Sequence, residues 1–162
     1  MTLTVELNGV ATRYGDVDLK RGTSDSRVAP EAIINGIPEP VTAGTDVTIA
    51  EDATTLFVGQ VARVQVRESG DRRLTCEHDL AVPFESDVDV PATTSAEDAL
   101  TFGMDDADSS VTVVWAGADV TLGDAYEATG RPLKRVFRDI ADRTGRVWYV
   151  SGPSEVTVQE PG

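Results

Sequence analysis

Cysteine, histidine and lysine are scarce in this sequence of 162 residues, which holds one Cys, one His and two Lys. A single cysteine excludes an internal disulfide and a cysteine metal cluster, so nothing indicates an oxidising compartment. No apolar run approaches the roughly 18 residues of a membrane span, and the start, M-T-L-T-V-E, lacks the pattern of a secretion signal. We expect a soluble chain of about one domain, or two very small ones, with no membrane anchor.

Catalytic and cofactor-binding motifs are also missing. The sequence contains no glycine-rich phosphate loop, no G-x-S-x-G, no H-E-x-x-H and no C-x-x-C. His78 and Cys76 fall on the apolar side of one predicted strand, together with Leu80, so we expect both to be structural core residues. The sequence therefore predicts a protein that is not an enzyme and needs no cofactor and no transition metal.

Two acidic groups are candidate binding or catalytic sites. Asp105, Asp106 and Asp108 resemble the start of a calcium loop, but the required glycine and late glutamate are missing. We interpret this group as a solvated acidic loop. Asp87 and Asp89 suggest the carboxylate pair of a glycosidase, but nothing near them indicates a sugar cleft.

Basic residues are few relative to acidic ones. Asp and Glu number 28 against 14 Lys and Arg, which gives a formal net charge of -14. An acidic surface that is poor in lysine is typical of proteins from molar salt, where charges are screened over about 3 Å. We interpret the source as a halophile; an ordinary acidic domain is the alternative. Such a surface is unsuited to binding nucleic acid.

Alternation of apolar and polar residues predicts strands through most of the first half. Asn8-Gly9 predicts a tight hairpin, and Ser69-Gly70-Asp71 predicts the turn between two later strands. A segment rich in Ser, Asp and Gly, residues 22–30, is predicted to be an exposed loop. The predicted strands cover residues 2–7, 10–14, 16–21 and 32–37 and three antiparallel segments between 44 and 80.

The strand pattern weakens after residue 82, where we place a boundary between an antiparallel barrel domain, 1–82, and an extension, 83–162. Ser95 and Asp98 predict a brief helical turn in the extension. One hairpin is predicted between 111 and 122 around Ala116-Gly117, and a final hairpin between 146 and 158.

One amphipathic helix is predicted near residues 132–144. Pro132 suits its start and Gly145 its end, while Leu133, Val136 and Phe137 begin an apolar face. The polar side carries a basic stripe that contrasts with the acidic chain, and it is either a solvated helix face or a contact with an acidic patch of a neighbouring subunit. The candidate interface residues are Arg131, Lys134, Arg135, Arg138 and Arg143.

Two segments carry a resemblance to a known family. The first runs from L-F-V-G-Q-V, residues 56–61, through a Gly-Asp turn to R-L-T-C-E-H-D-L, residues 73–80. The second is L-K-R-V-F-R-D-I-A-D-R-T-G-R-V-W-Y-V, residues 133–150. Together they resemble tail hub proteins of tailed viruses and the related late-control and spike-base proteins of contractile systems. Hub proteins of this kind usually continue into a second barrel, so one copy of this sequence is not expected to supply both barrels.

The resemblance implies a mainly β fold, with a small antiparallel barrel followed by an α/β extension that holds one packed helix. It also implies a structural protein of the virion: a tail hub or baseplate ring at the tail tip that links the tail tube to distal tail or fibre proteins. With the acidic composition, it implies a haloarchaeal virus. The expected partners are further copies, in a trimeric ring, and neighbouring tail proteins, while DNA only passes through an acidic channel.

Two other functions stay open. A carbohydrate- or receptor-binding β module of a tail fibre would present exposed aromatic residues, and the clustered candidates are Trp115, Tyr126, Trp148 and Tyr149. Alternation along one strand places Trp148 and Tyr149 on opposite faces, so only one of them is expected in the core. A hydrolase of the cell envelope is the third interpretation, and it lacks a plausible catalytic set.

Overall fold

The computed structural model describes residues 2–20, 22 and 29–162. The chain divides into two compact units, one comprising Met1–Arg21 and Pro30–Asp79, the other Gly22–Ala29 and Leu80–Gly162. This division lies three residues before the predicted boundary between residues 82 and 83. Most of the loop predicted at 22–30 lies outside the described residues.

The described residues of the first unit form one antiparallel sheet of seven strands. Asn8 and Gly9 both have positive φ, which is the backbone of a tight hairpin turn between the first two strands. The strand order is β2-β1-β5-β6-β7-β4-β3, and the three strands predicted between 44 and 80 are its centre. The strands are β1 (Leu3–Leu7), β2 (Val10–Thr12), β3 (Asp16–Lys20), β4 (Glu31–Ile37), β5 (Asp46–Glu51), β6 (Thr54–Val66) and β7 (Arg72–His78).

A short connection forces this sheet to curl. In a flat sheet with strands about 4.8 Å apart, the outer strands β2 and β3 would be separated by about 29 Å. Yet Thr12 and Asp16 are four residues apart, and extended chain covers at most about 14 Å over that length. Tyr14 lies in this connection and donates its hydroxyl to the carbonyl of Leu3 at 2.6 Å. The result is a half-barrel rather than a closed barrel, because β2 and β3 are not paired with each other among the described residues.

In the part of the second unit that the structure describes, two small sheets combine with three helices. Strand β10 pairs antiparallel with β8, while β12 lies between β11, to which it is antiparallel, and β9, to which it is parallel. The fold is therefore mainly β with packed helices, as the resemblance implied. The elements are α1 (Ala81–Glu85), β8 (Asp87–Ser95), α2 (Ala96–Asp106), β9 (Thr112–Trp115), β10 (Thr121–Pro132), α3 (Leu133–Thr144), β11 (Val147–Gly152) and β12 (Glu155–Gln159).

The hairpin predicted between 111 and 122 is wrong. Strand β9 joins β12 and strand β10 joins β8, although Ala116-Gly117 does follow β9. The alternation within each strand indicates which side chains are buried, but it does not choose the partner strand. Trp115 pairs with Val158, and both are buried in the core of this unit.

The segment between 83 and 104 is more regular than its sequence suggested. The brief turn expected at Ser95 is an eleven-residue helix, α2, and Ser95 caps it by accepting a hydrogen bond from the amide of Asp98. Strand β8 was not recognised in the sequence because it contains Pro91 and two aspartates, yet Val88 and Val90 alternate with exposed residues and are buried.

Helix α3 forms where it was predicted. Pro132 is the residue before its first turn, and Gly145 ends it with φ of 68° while donating its amide to the carbonyl of Ala141 at 2.9 Å. Phe137 lies against Phe84 and Trp148, with ring centroids 5.3 and 5.7 Å away. This aromatic contact holds the buried face of α3, whose buried residues are Leu133, Val136, Phe137 and Ile140.

Candidate interaction surface on helix α3

The polar face of α3 is organised around one carboxylate, that of Asp139. Its Oδ2 atom accepts hydrogen bonds from Tyr126 at 2.8 Å and from Arg131 at 2.7 Å. Arg135 Nε lies farther away, 3.7 Å from Oδ1. Burial, together with the hydrogen bond to Asp139 and its charge, raises the pKa of Tyr126 to about 12. The hydrogen bond to Asp139 likewise raises the pKa of Arg131. Asp139 therefore ties the end of β10 to the helix.

The other predicted interface cations differ in how strongly they are held. Lys134 Nζ lies 2.8 Å from both carboxylate oxygens of Glu85. Arg138 is only loosely paired, with its Nε 3.9 Å from Asp142. Arg143 lies apart from the rest: its guanidinium lies over the ring of Tyr126, 5.2 Å from the centroid, and donates to the carbonyl of Asp124.

Four of the five predicted interface residues line one concave surface, which we call the α3 groove. It encloses about 720 Å³ and does not include Arg143. Arg146 also lines the groove. The sequence did not indicate this, because Arg146 follows the glycine that ends the helix. It is anchored over the ring of Trp115 and by a hydrogen bond to the carbonyl of Ala116. The lining residues are Arg131, Pro132, Lys134, Arg135, Arg138, Ala141, Asp142, Gly145, Arg146 and Trp148.

His78 and Cys76 are buried in the first unit, as predicted. The ring of His78 meets the ring of Phe57 edge-on, with 5.5 Å between centroids. Burial, with a smaller contribution from the charge of Glu31, raises the pKa of Cys76 to about 12. Its thiol is therefore protonated at neutral pH and unsuited to act as a nucleophile.

The acidic candidates have structural contacts. Asp105 and Asp106 belong to the last turn of α2, which corrects the prediction of an acidic loop. Asp106 accepts a hydrogen bond from the amide of Asp89 at 2.8 Å, and Asp89 accepts one from the amide of Gly130 at 2.8 Å. Asp87 alternates with buried residues on the same strand. Within residues 2–20, 22 and 29–162, no group of three or more His, Cys, Asp or Glu is arranged to hold a metal ion.

Most of the candidate aromatic residues are in the core. Trp115, Tyr126 and Trp148 are 8%, 1% and 5% exposed, whereas Tyr149 is 36% exposed. As predicted, Trp148 and Tyr149 lie on opposite faces of their strand. A carbohydrate platform needs several exposed rings, so this arrangement counts against the carbohydrate-binding alternative. Across the described parts of the chain, the helices are too short or too polar to span a bilayer.

The sequence matches no family model and no curated protein. Solved structures of tail proteins share the fold. One is a tail protein from Neisseria meningitidis MC58, with a TM-score of 0.73 and 14% identity over 96% of this chain and 49% of that chain. Another is the 43 kDa tail protein of prophage MuSo2 from Shewanella oneidensis. Its TM-score is 0.77, with 9% identity over 99% of this chain and 55% of that chain.

A third structure with this fold is prophage tail protein gp18 from Listeria monocytogenes EGD-e. Its TM-score is 0.63, with 7% identity over 98% of this chain and 50% of that chain. The chain thus spans about half the length of each of these three proteins. At such low identities, the similarity establishes a shared fold.

Proposed function

We propose that this chain is a structural, non-enzymatic virion protein of a tailed virus, acting as a tail hub or baseplate ring component at the tail tip. One observation supports this above all: both units match tail proteins from three sources over 96% or more of the chain. The alternation of small sheets and packed helices in the second unit is included in that match. A ring would link the tail tube to distal tail or fibre proteins.

The ring is proposed to be a homo-oligomer, a trimer, whose lumen lets DNA pass. A net charge of -14 makes the surface repel phosphates, so DNA would not adhere to the channel wall. The same composition, with two lysines in the whole chain, supports an origin in a haloarchaeal virus.

Labelling of intact virions tests the proposed location. Gold-labelled antibodies against this chain, viewed by electron microscopy, are expected at the tip of the tail. Antibodies against the major capsid protein serve as the control and should label the head. Label along the whole tail tube or on the head, or virions without label, would contradict the proposal.

A further inference from the structure

The α3 groove gathers basic side chains on a strongly acidic protein. Each has a carboxylate of its own subunit at 2.7 to 3.9 Å, including Glu160 at 3.5 Å from Arg146. Among the described residues, five of the 14 basic residues of the sequence line the groove, and Asp142 is the one acid in the lining. The rest of the sequence carries nine basic and 27 acidic residues. A second copy of the chain therefore offers these side chains many more carboxylates than cations.

Two groove arginines make the weakest contacts within their own subunit. Arg135 and Arg138 lie 3.7 and 3.9 Å from their carboxylate partners, beyond hydrogen-bonding distance. Their side chains are 58% and 49% exposed. Each planar guanidinium can bind an incoming carboxylate through two parallel hydrogen bonds, which a single ammonium group cannot do. Pro132 and Ala141, both half-buried, add apolar surface to the same groove.

We propose that the α3 groove receives carboxylates of a second copy of this chain in a head-to-tail contact. This inference depends on the proposed ring and specifies the surface that closes it. A contact of the groove with its own equivalent would oppose arginines to arginines, and a contact between two acidic surfaces would oppose carboxylates to carboxylates. Only groove against acidic surface is attractive, and such unlike surfaces join subunits into closed rings when the rotation permits.

Charge reversal in the groove provides the test. The double variant Arg135→Glu, Arg138→Glu is compared with Arg13→Glu, Arg63→Glu, which changes two exposed arginines of the first unit by the same total charge. Mass photometry is carried out at the ionic strength where the parent assembles. We expect the parent and the control to form the ring. The groove variant should show a dissociation constant raised by about tenfold or more.

A neutral variant, together with measurements of folding, separates loss of the contact from loss of the fold. Reversal at 135 places a carboxylate next to Asp139, so circular dichroism and thermal unfolding are measured for every variant. Arg135→Gln, Arg138→Gln removes the two charged guanidinium groups without adding repulsion, and it too should weaken assembly. If folded Gln and Glu variants both assemble as the parent does, the inference is wrong.

Mixing the Glu variant with the parent distinguishes a head-to-tail contact from a groove-to-groove contact. In a head-to-tail contact, the Glu variant keeps its acidic surface, so it binds to the parent's groove and blocks ring closure when added in small amounts. In a groove-to-groove contact, the Glu variant would pair with the parent more tightly than the parent pairs with itself. That second result would overturn the head-to-tail contact.

Two further outcomes separate this inference from the proposed function. A parent that is monomeric at every ionic strength contradicts the ring itself, and the groove contact with it. If the parent forms a ring and the folded Glu variant forms it equally well, only the groove contact is contradicted. Binding of a short DNA duplex to the parent, lost in the Gln variant, would show that the groove holds nucleic acid instead of a second copy.

Discussion

Tyr126 donates its hydroxyl to Asp139 across the junction between β10 and α3, with 2.8 Å between the oxygens. Tyr126 is almost fully buried, and Asp139 is also held by Arg131 at 2.7 Å. The carboxylate thus links a core side chain to the basic face of the helix. The apolar face of α3 and its charged face are therefore coupled through one residue.

Removal of that hydroxyl should destabilise the second unit. Tyr126→Phe leaves a carboxylate short of one hydrogen bond, and we expect a loss of about 1.5–3 kcal/mol in the free energy of unfolding. Both tryptophans lie in this unit, so tryptophan fluorescence during denaturation reports on it. Tyr149→Phe, at an exposed position, is the control and should change little. Equal losses in the two variants would contradict this account.

Stability should depend on pH through the same hydroxyl. Burial and the contact with Asp139 raise the pKa of Tyr126 from 10.0 to about 12, so the folded state holds this proton more tightly than the unfolded state. The resulting stabilisation is complete below the unfolded pKa and is lost as pH rises from about 10 to 12. The difference in unfolding free energy between the parent and Tyr126→Phe should shrink over that range. If this difference stayed constant or grew as pH rose, the predicted direction of the pH dependence would be wrong.

Truncation of the central aromatic residue of α3 should be more costly. Phe137→Ala removes a ring that contacts Phe84 and Trp148, and we expect a loss of about 3–5 kcal/mol in the free energy of unfolding. Phe102→Ala, on the exposed side of α2, is the matched control and should cost about 1 kcal/mol or less. Chemical denaturation followed by tryptophan fluorescence gives both values. A similar cost at both positions would show that α3 is not held by this contact.

Gly59 is required by the close approach of β6 and β7. A Cβ atom there would overlap the carbonyl oxygen of Glu77 and lie 2.9 Å from the ring of Phe57. Because backbone must move to make room, Gly59→Ala should destabilise the first unit by about 1–3 kcal/mol. Gly123→Ala has open space around its Cβ and serves as the control. The first unit contains no tryptophan, so circular dichroism is the measurement. An unchanged unfolding curve for Gly59→Ala would contradict the clash.

Assembly should require salt. With a net charge of -14 on each copy, repulsion between copies extends over about 30 Å at 0.01 M salt but only about 3 Å at 1 M. Long-range repulsion is thus screened at molar salt, whereas direct contacts between arginine and carboxylate that are partly buried in the groove are screened much less. We expect the ring at molar salt and monomers at millimolar salt, as measured by light scattering. A neutral solute at the same osmolality is the control and should not preserve the ring. A mass that is unchanged from molar to millimolar salt would rule out the halophilic interpretation.

Local patterns in the sequence predicted those features that neighbouring residues decide. The Asn8-Gly9 hairpin, the three central strands of the half-barrel and the final hairpin each follow from alternation and turn residues. Helix α3 follows from its apolar face and from Gly145. In these segments the elements that pair are adjacent in the chain, so a short stretch contains both the strands and the turn.

The groove was only partly predictable. The spacing of Arg131, Lys134, Arg135 and Arg138 already placed them on one polar face. Arg146 could not be assigned to that face, because it lies beyond the end of the helix and reaches the groove only through its anchor on Trp115. In the same way, nothing in the spacing indicated that Arg143 would turn towards Tyr126.

Alternation, helical spacing and composition are enough to establish the mainly β character of the chain, the position of α3 and the contrast between its basic face and the acidic remainder. The folded chain adds that β9 pairs in parallel with β12, that β10 pairs with β8, and that the seven-stranded sheet curls. Alternation records which side of a strand is buried, whereas the choice of partner depends on packing between residues far apart in the chain. Trp115 and Val158, 43 positions apart in the numbering, lie side by side for that reason.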